Sequence, residues 1–286
     1  MLRAHQSRVA EALSLLRPAA RGQVGVDQTA ATLHSLLFTG HAHALAGSPA
    51  LALDAFGRYT VEVERRQVPR FAGRAVNFAG WVLRNLGAGQ EGLDQHCEAL
   101  EVARRQGTAE VTIAALEDLA EQRLDAGDAD GAQARLAEAR TLLRGDLVFG
   151  WRLELKHLLV SARLALAQGD AELALAAASE LEARASALGV PRYLSVARLL
   201  RHRAHRALGQ IVDLDAVAAD LDLLDTSVAI EAWWWTGDVA ADFANLTWLD
   251  RAAERAERLA RHAGRHADGM RLAAERRLRG WRDAIG

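Results

Sequence analysis

Apolar residues return along most of this chain at intervals of three and four, as in LELKHLLVSARLALAQG from Leu153 to Gly169. That spacing predicts amphipathic α-helices, and no stretch carries the alternation of period two that a half-buried strand needs. Glycines punctuate the pattern. Gly47, Gly87, Gly127, Gly169 and Gly209 each follow an apolar-periodic stretch, at separations of 40, 40, 42 and 40 residues. Each reads as a helix stop. Five residues beyond them stand Ala52, Gly92, Ala132, Ala174 and Leu214, and twelve beyond stand Tyr59, Ala99, Ala139, Leu181 and Leu221. That is one face of a second helix, mostly small where two helices approach closely. Pro49 falls near the start of such a second helix, and Pro69 and Pro191 fall between units, where a missing N–H costs little. Each unit is therefore a helix, a tight turn and an antiparallel helix, and a helix of about 15 residues spans ~22 Å. One such pair cannot bury its own apolar faces, so a fixed period of this length predicts an α-solenoid.

The turn segments LAQGDAELALAAA and LDAGDADGAQARL place Gly-Asp before a small residue of the second helix. In this they resemble the tetratricopeptide family, although the period exceeds that family's usual length of about 34 residues. The longer period is similar to the helical sensor regions of large bacterial ATPase-coupled transcription regulators of the maltose-activator, LuxR and antibiotic-regulator types. The resemblance spans roughly residues 8 to 264 and implies an all-α, right-handed, TPR-like α-solenoid of about six antiparallel helix pairs with a terminal capping helix. The expected organisation is one domain over 1–286. A half repeat occupies 8–26, repeats occupy 27–68, 69–108, 109–149, 150–190, 191–226 and 227–264, and a capping helix occupies 265–286.

The two ends follow the same register. Ser7 stands 40 residues before Gly47, with Ala12 and Ala19 at the two offsets, so the helix over about Arg8–Ala20 reads as the second half of a repeat. Either it was cut from a longer polypeptide or it caps the array as a lone helix. Trp233 with Gly237 matches the family's bulky-then-small pair on a first helix. The second helix then falls near Thr247–His262, and a last helix, about Ala267–Asp283, carries Met270, Ala273 and Trp281 on one face. Trp233, Trp234 and Trp235 point 100° apart on a helix and cannot share one buried face. Trp233 is expected in the core, Trp234 on the groove, and Trp235 toward a neighbouring unit or partly exposed.

Composition narrows the function. Half of the 286 residues are apolar and a quarter are charged. No apolar run of about 18 residues offers a membrane span. Charges interrupt the N-terminal apolar residues, which argues against a secretory signal and for a cytoplasmic location. Cys97 is the only cysteine, which excludes an internal disulfide framework and a cysteine metal knuckle. The net charge of −2 predicts no general affinity for nucleic acid. Its distribution is uneven: Ile211–Asp250 holds nine acidic residues and no Lys or Arg, and Arg251–Gly286 holds ten Arg against five acids. Solvated helical faces of opposite sign, or a basic end that docks a partner, both account for that.

Candidate chemistry is sparse. GAGQEG, Gly87–Gly92, fits a dinucleotide-binding pattern, but it follows an amphipathic helix where that mechanism requires a strand. His262 and His266 lie one turn apart, and His202 and His205 three residues apart, without a third ligand at metal-site spacing. No nucleophile elbow or Walker loop occurs, and the basic C-terminal helix lacks a helix-turn-helix pattern or interleaved aromatics. The chain is therefore expected to be no enzyme, with no cofactor, no metal, no direct nucleic-acid binding and no membrane partner.

What remains is a surface. The resemblance implies that the first helices line a concave groove, with groove-facing residues 13, 10, 6 and 3 positions before each turn glycine. These are Arg74, Asn77, Trp81 and Arg84 in the second unit, then Glu117 and Glu121 in the third, and Lys156 and Arg163 in the fourth. In the fifth unit the apolar stripe Ala197, Leu200, Ala204 suggests a one-residue shift, placing Arg198, His202 and His205 on the groove instead of Arg203 and Arg206. His34 and His41 stand at these positions in the first unit, and Trp234 joins the surface from the sixth. A tryptophan flanked by Arg and Asn is an unusual choice for a merely solvated face, and aromatic and Arg residues anchor recognition surfaces. The function expected is a non-enzymatic recognition or sensor module. It would bind a peptide, a protein segment or a small effector, as part of a bacterial transcription regulator. The alternative is a scaffold that mediates self-association or docks other domains of a regulator. The oligomeric state stays open.

Overall fold

The computed structural model of the protein describes Arg3, Gln6, residues 8–20 and residues 29–286. Ser7 and residues 21–28, where the end of the expected half repeat and the start of the first full repeat fall, lie outside the described residues, as does the side chain of Ala19. The described residues form fourteen α-helices and two short 3-10 turns, with no strand. A single helix, α1 (Val9–Ala20), precedes six pairs: α2 (Thr29–Leu45) with α3 (Pro49–Arg65), α4 (Arg74–Asn85) with α5 (Gly89–Gln106), α6 (Ala109–Asp125) with α7 (Ala129–Leu142), α8 (Gly150–Ala167) with α9 (Ala171–Leu188), α10 (Pro191–Ala207) with α11 (Leu214–Ser227), and α12 (Ala229–Asp242) with α13 (Leu246–Ala260). A final helix, α14 (Ala267–Ile285), packs on α12 and α13. This is a TPR-like helical-repeat solenoid.

The Gly-Asp signature acts through two separate mechanisms. All five turn glycines adopt left-handed backbone, with φ between +71° and +79°, which ends the first helix of each pair. Asp128 and Asp170 then cap the second helix, accepting the N–H groups of Gly131 at 2.8 Å and Leu173 at 3.0 Å. The sixth unit has no turn glycine. There Ala244 takes the left-handed conformation (φ +51°), and Asn245 caps α13 by accepting from the Trp248 N–H. The small residues of the second helices are buried contacts: Ala52, Ala132 and Ala174 have no exposed surface. Leu214 departs from that pattern. The fifth turn is longer, so Leu214 is half exposed as the first residue of α11, and Val217 is buried in its place.

The first helices of consecutive pairs touch one another and form an inner layer. That layer does not stay open. Helix α12 returns to contact α2 and α4, and the Ala50 N–H beside it donates to the His262 carbonyl at 3.2 Å. Gly87 lies against Ala273 of α14, so closely that a Cβ at position 87 would overlap the alanine methyl. The solenoid closes into a ring. Every residue from Ile230 to Gly237 is buried, because α12 is surrounded on all sides. This resolves the three adjacent tryptophans: they need no common face, and Trp233, Trp234 and Trp235 are all buried. Partial exposure of Trp235 is therefore corrected.

In α1, Ala12 is buried whereas Leu15 is exposed. Part of the acidic stretch near the C-terminus meets part of the basic one across α11 and α13. Arg251 pairs with Asp222, and the buried Arg255 donates to Asp225 at 2.9 Å and to the Leu221 carbonyl at 2.6 Å. No helix among the described residues is long and apolar enough to cross a membrane.

Candidate functional site

Because first helices stack one repeat apart, residues about 40 positions apart face each other on the inner layer. Helix α6 supplies Asp118, Glu121 and Asp125, and its neighbours supply the partners. From α4, Asn77 donates to Asp118 at 2.8 Å, and Arg84 donates to Glu121 at 2.8 Å and to Asp125. From α8, Lys156 pairs with Glu121 and with Asp118, and Arg163 donates to Glu121 at 2.9 Å and Asp125 at 2.8 Å. Glu121 thus accepts from three cations while only 3% exposed. Burial alone would raise its pKa, but Arg84, Lys156 and Arg163 outweigh burial and hold the carboxyl well below the usual range. The same balance keeps Asp118 and Asp125 ionised and Lys156 charged.

Around this ladder sit groups that close the ring or lack partners. Glu231 of α12 accepts from the Trp81 indole N–H at 2.7 Å and from Arg192 of α10, whose guanidinium lies 4.9 Å from the Trp81 ring centre. His96 of α5 is fully buried beneath Gly80, where a Cβ would stand 2.8 Å from the imidazole. Its Nδ1 lies 2.9 Å from Asn77 Oδ1. Asn77 Oδ1 can only accept, its amide N–H serving Asp118, so the imidazole Nδ1–H is the donor. Burial, partly opposed by Asp118, lowers its pKa to about 4. Glu117 has no exposed surface, and neither carboxyl oxygen has a hydrogen-bond partner. Burial raises its pKa well above the usual carboxylate range, despite the opposing charges of Lys156 and Arg152.

Open space on the inner layer is unevenly shared. Beside Glu117, among His41, Phe78, Trp81 and Arg152, a cavity of about 20 Å³ has room for one water. A second, of about 30 Å³, lies under Phe38, Arg74, Glu110 and Phe149. At the other end is a pocket of about 670 Å³ between the α4–α5 turn, the C-terminal end of α6, α12 and α14. Its walls include Arg84, Gln90, Gln122, Trp234, Arg276 and Arg277. The Trp234 indole is ringed by guanidinium groups, with Arg163 at 4.4 Å, Arg277 at 4.9 Å and Arg84 at 5.6 Å from its ring centre.

The residues expected on the groove therefore divide. Asn77, Trp81, Arg84, Glu117, Glu121, Lys156, Arg163 and Trp234 come together on the inner layer, as their spacing implies, but mainly against one another and little open to solvent. Arg74 stands nearer the rim, 3.3 Å from Glu110. For Arg198 and His202 the one-residue shift is corrected: Arg198 bonds Glu182 and Asp220, and His202 lies 3.0 Å from Asp220, both on outer helices. Arg203 takes the inner position, pairing with Asp238 and Asp242 of α12. Reading the residues singly missed Asp118, Asp125, Arg192, Glu231, Arg276 and Arg277. The first four carry a signal in the sequence, an opposite charge or an amide about 40 residues away. The two arginines of α14 carry none, since the ring brings them to the pocket from outside the repeat register. Among the described residues no group of three or more His, Cys, Asp or Glu is placed to hold a metal ion.

No protein-family model matches the sequence, and no curated protein matches it. Among solved structures the chain is similar to a Rap protein determined in complex with the competence and sporulation factor. The two align over 85% of this chain and 67% of that one, with a TM-score of 0.61 and 17% identity. At that identity the likeness is one of fold, and it agrees with the helix pairing described above: a TPR-like helical repeat.

Proposed function

We propose that this chain is a non-enzymatic recognition and sensor module, part of a bacterial cytoplasmic transcription regulator, that takes a peptide or protein segment. The observation that carries this reading is the contrast between a filled inner layer and an open pocket of about 670 Å³ walled by Trp234 and arginines. That volume lies within the range of about 300–1,000 Å³ typical of ligand sites, and Trp and Arg are the usual anchors of recognition. The fold supports it too, since the similar Rap protein was solved holding a factor. Calorimetry with peptides that raise the thermal midpoint is the test. Gln90→Trp, at an exposed position on the pocket wall, is expected to abolish their binding without lowering stability; unchanged affinity moves the site elsewhere. A neighbouring coding sequence without an ATPase or DNA-binding segment overturns the regulator assignment.

The buried ladder favours a second role for the rest of the inner layer, that of a scaffold whose closed ring docks other domains or a second copy. Light scattering that finds a monomer at all concentrations, with no added mass from those domains, argues against it.

A further inference from the structure

The pocket at the closure has a chemistry of its own. Four arginines line it, Arg84, Arg123, Arg276 and Arg277, against the single carboxylate of Asp125. The first two are occupied: Arg84 by Glu121 and Asp125, Arg123 by Asp128 at 3.1 Å. The pair from α14 is held more loosely. Arg276 bonds only the Leu272 carbonyl of its own helix. Arg277 comes no nearer to a carboxylate than 3.7 Å, at Asp238, and its buried Nε has no partner. Across the pocket the side-chain N–H of Gln122 donates to the Gly89 carbonyl at 3.2 Å, and its buried Oε1 has no donor. Leu93, Trp233 and Trp234 supply apolar surface between these groups.

Resting on the recognition reading above, we infer that the segment taken here is an acidic peptide. Its carboxylates meet Arg276 and Arg277, one backbone N–H donates to Gln122 Oε1, and its apolar side chains lie on Trp234 and Leu93. The acceptor on Gln122 separates this ligand from a simple anion: a fully ionised phosphate has no N–H to offer it, whereas a peptide presents one at each residue. Bidentate guanidinium–carboxylate pairs supply the anchor in a partly dry site. Because the cations come from the last helix and the acceptor from the third unit, the bound segment spans the seam where the ring closes.

Selection of the full chain against a randomised peptide display library tests this. Enrichment of Asp and Glu beside Leu or aromatic residues is expected. A selected peptide is expected to lose roughly tenfold or more in affinity with Arg276→Glu. It should be unaffected by Arg279→Glu, an exposed position on the same helix outside the pocket. Its affinity should also fall with Gln122→Leu, and pyrophosphate should not displace it. Enrichment of neutral or basic peptides overturns the acidic ligand while the recognition reading stands. Displacement by pyrophosphate, or indifference to Arg276→Glu, overturns it as well. Enrichment of nothing overturns both.

Discussion

The indole N–H of Trp81 donates to Glu231 Oε1 at 2.7 Å, joining residues 150 positions apart. Trp81 belongs to the second helix pair and Glu231 to the sixth, so this bond measures closure. Glu231 also accepts from Arg192, which stacks over the same indole. Three units thus meet at one carboxylate, and the inner layer of the solenoid is a core before it is a surface. An unpaired buried charge is far more costly than a paired one, which makes each member of such a network sensitive to loss of the others.

The ladder gives the first prediction. Glu121→Gln withdraws the charge shared by Arg84, Lys156 and Arg163, and is expected to cost about 3–5 kcal/mol in urea unfolding. Glu180→Gln, which breaks an exposed i,i+4 pair with Arg184, is expected to cost less than about 1 kcal/mol. Equal small losses in both would show that the inner pairs are solvated.

Helix spacing gives the second. Ala132 and Ala174 have no exposed surface at the helix–helix contact after each turn. Ala132→Leu and Ala174→Leu are expected to overpack it at ~1–3 kcal/mol each. Unchanged chemical-denaturation midpoints would contradict the repeat register.

Two buried groups give the third, with opposite signs. Neutral His96 has its pKa lowered to about 4, against an ordinary 6.5, so between those values the folded chain binds fewer protons than the unfolded one. Its contribution is lost as pH falls through that window, at a slope of up to about 1.4 kcal/mol per pH unit. Glu117 is raised, so the folded chain keeps a proton that the unfolded one releases above about 4.5, and its contribution is lost as pH rises. His96→Gln is expected to flatten the acid slope, and Glu117→Gln the alkaline one. Denaturation midpoints across pH 4–8 in the two variants and the wild type decide it.

The legible part of this protein was its period. The turn glycines, the Asp caps and the small residues of the second helices all act locally, and their spacing in sequence is their spacing in the fold. The polar residues of the inner layer were legible as a set but not in their role. Glu117 and Glu121 alternate with Arg84, Lys156 and Arg163 at about one repeat, and such alternation serves a ligand or a neighbouring helix equally well. Pairing of Arg84 and Arg163 with both Glu121 and Asp125 shows that here it serves the neighbour. Closure was not legible. Whether helix pairs spiral open or return on themselves depends on small rotations accumulated over six units, and no local pattern records the contact of Gly87 with Ala273. The shifted fifth helix misled for a simpler reason: its apolar stripe faces neighbours on both sides, so it does not define a single phase.

A double-mutant cycle on Trp81 and Glu231 reports whether the ring is closed in solution. Trp81→Phe removes the indole donor and Glu231→Ala the acceptor, and chemical unfolding of the wild type, both single variants and the double variant gives their coupling. Direct contact across the ring predicts a coupling energy of about 1 kcal/mol or more. Losses that add within about 0.3–0.5 kcal/mol, as for residues that never meet, would contradict it.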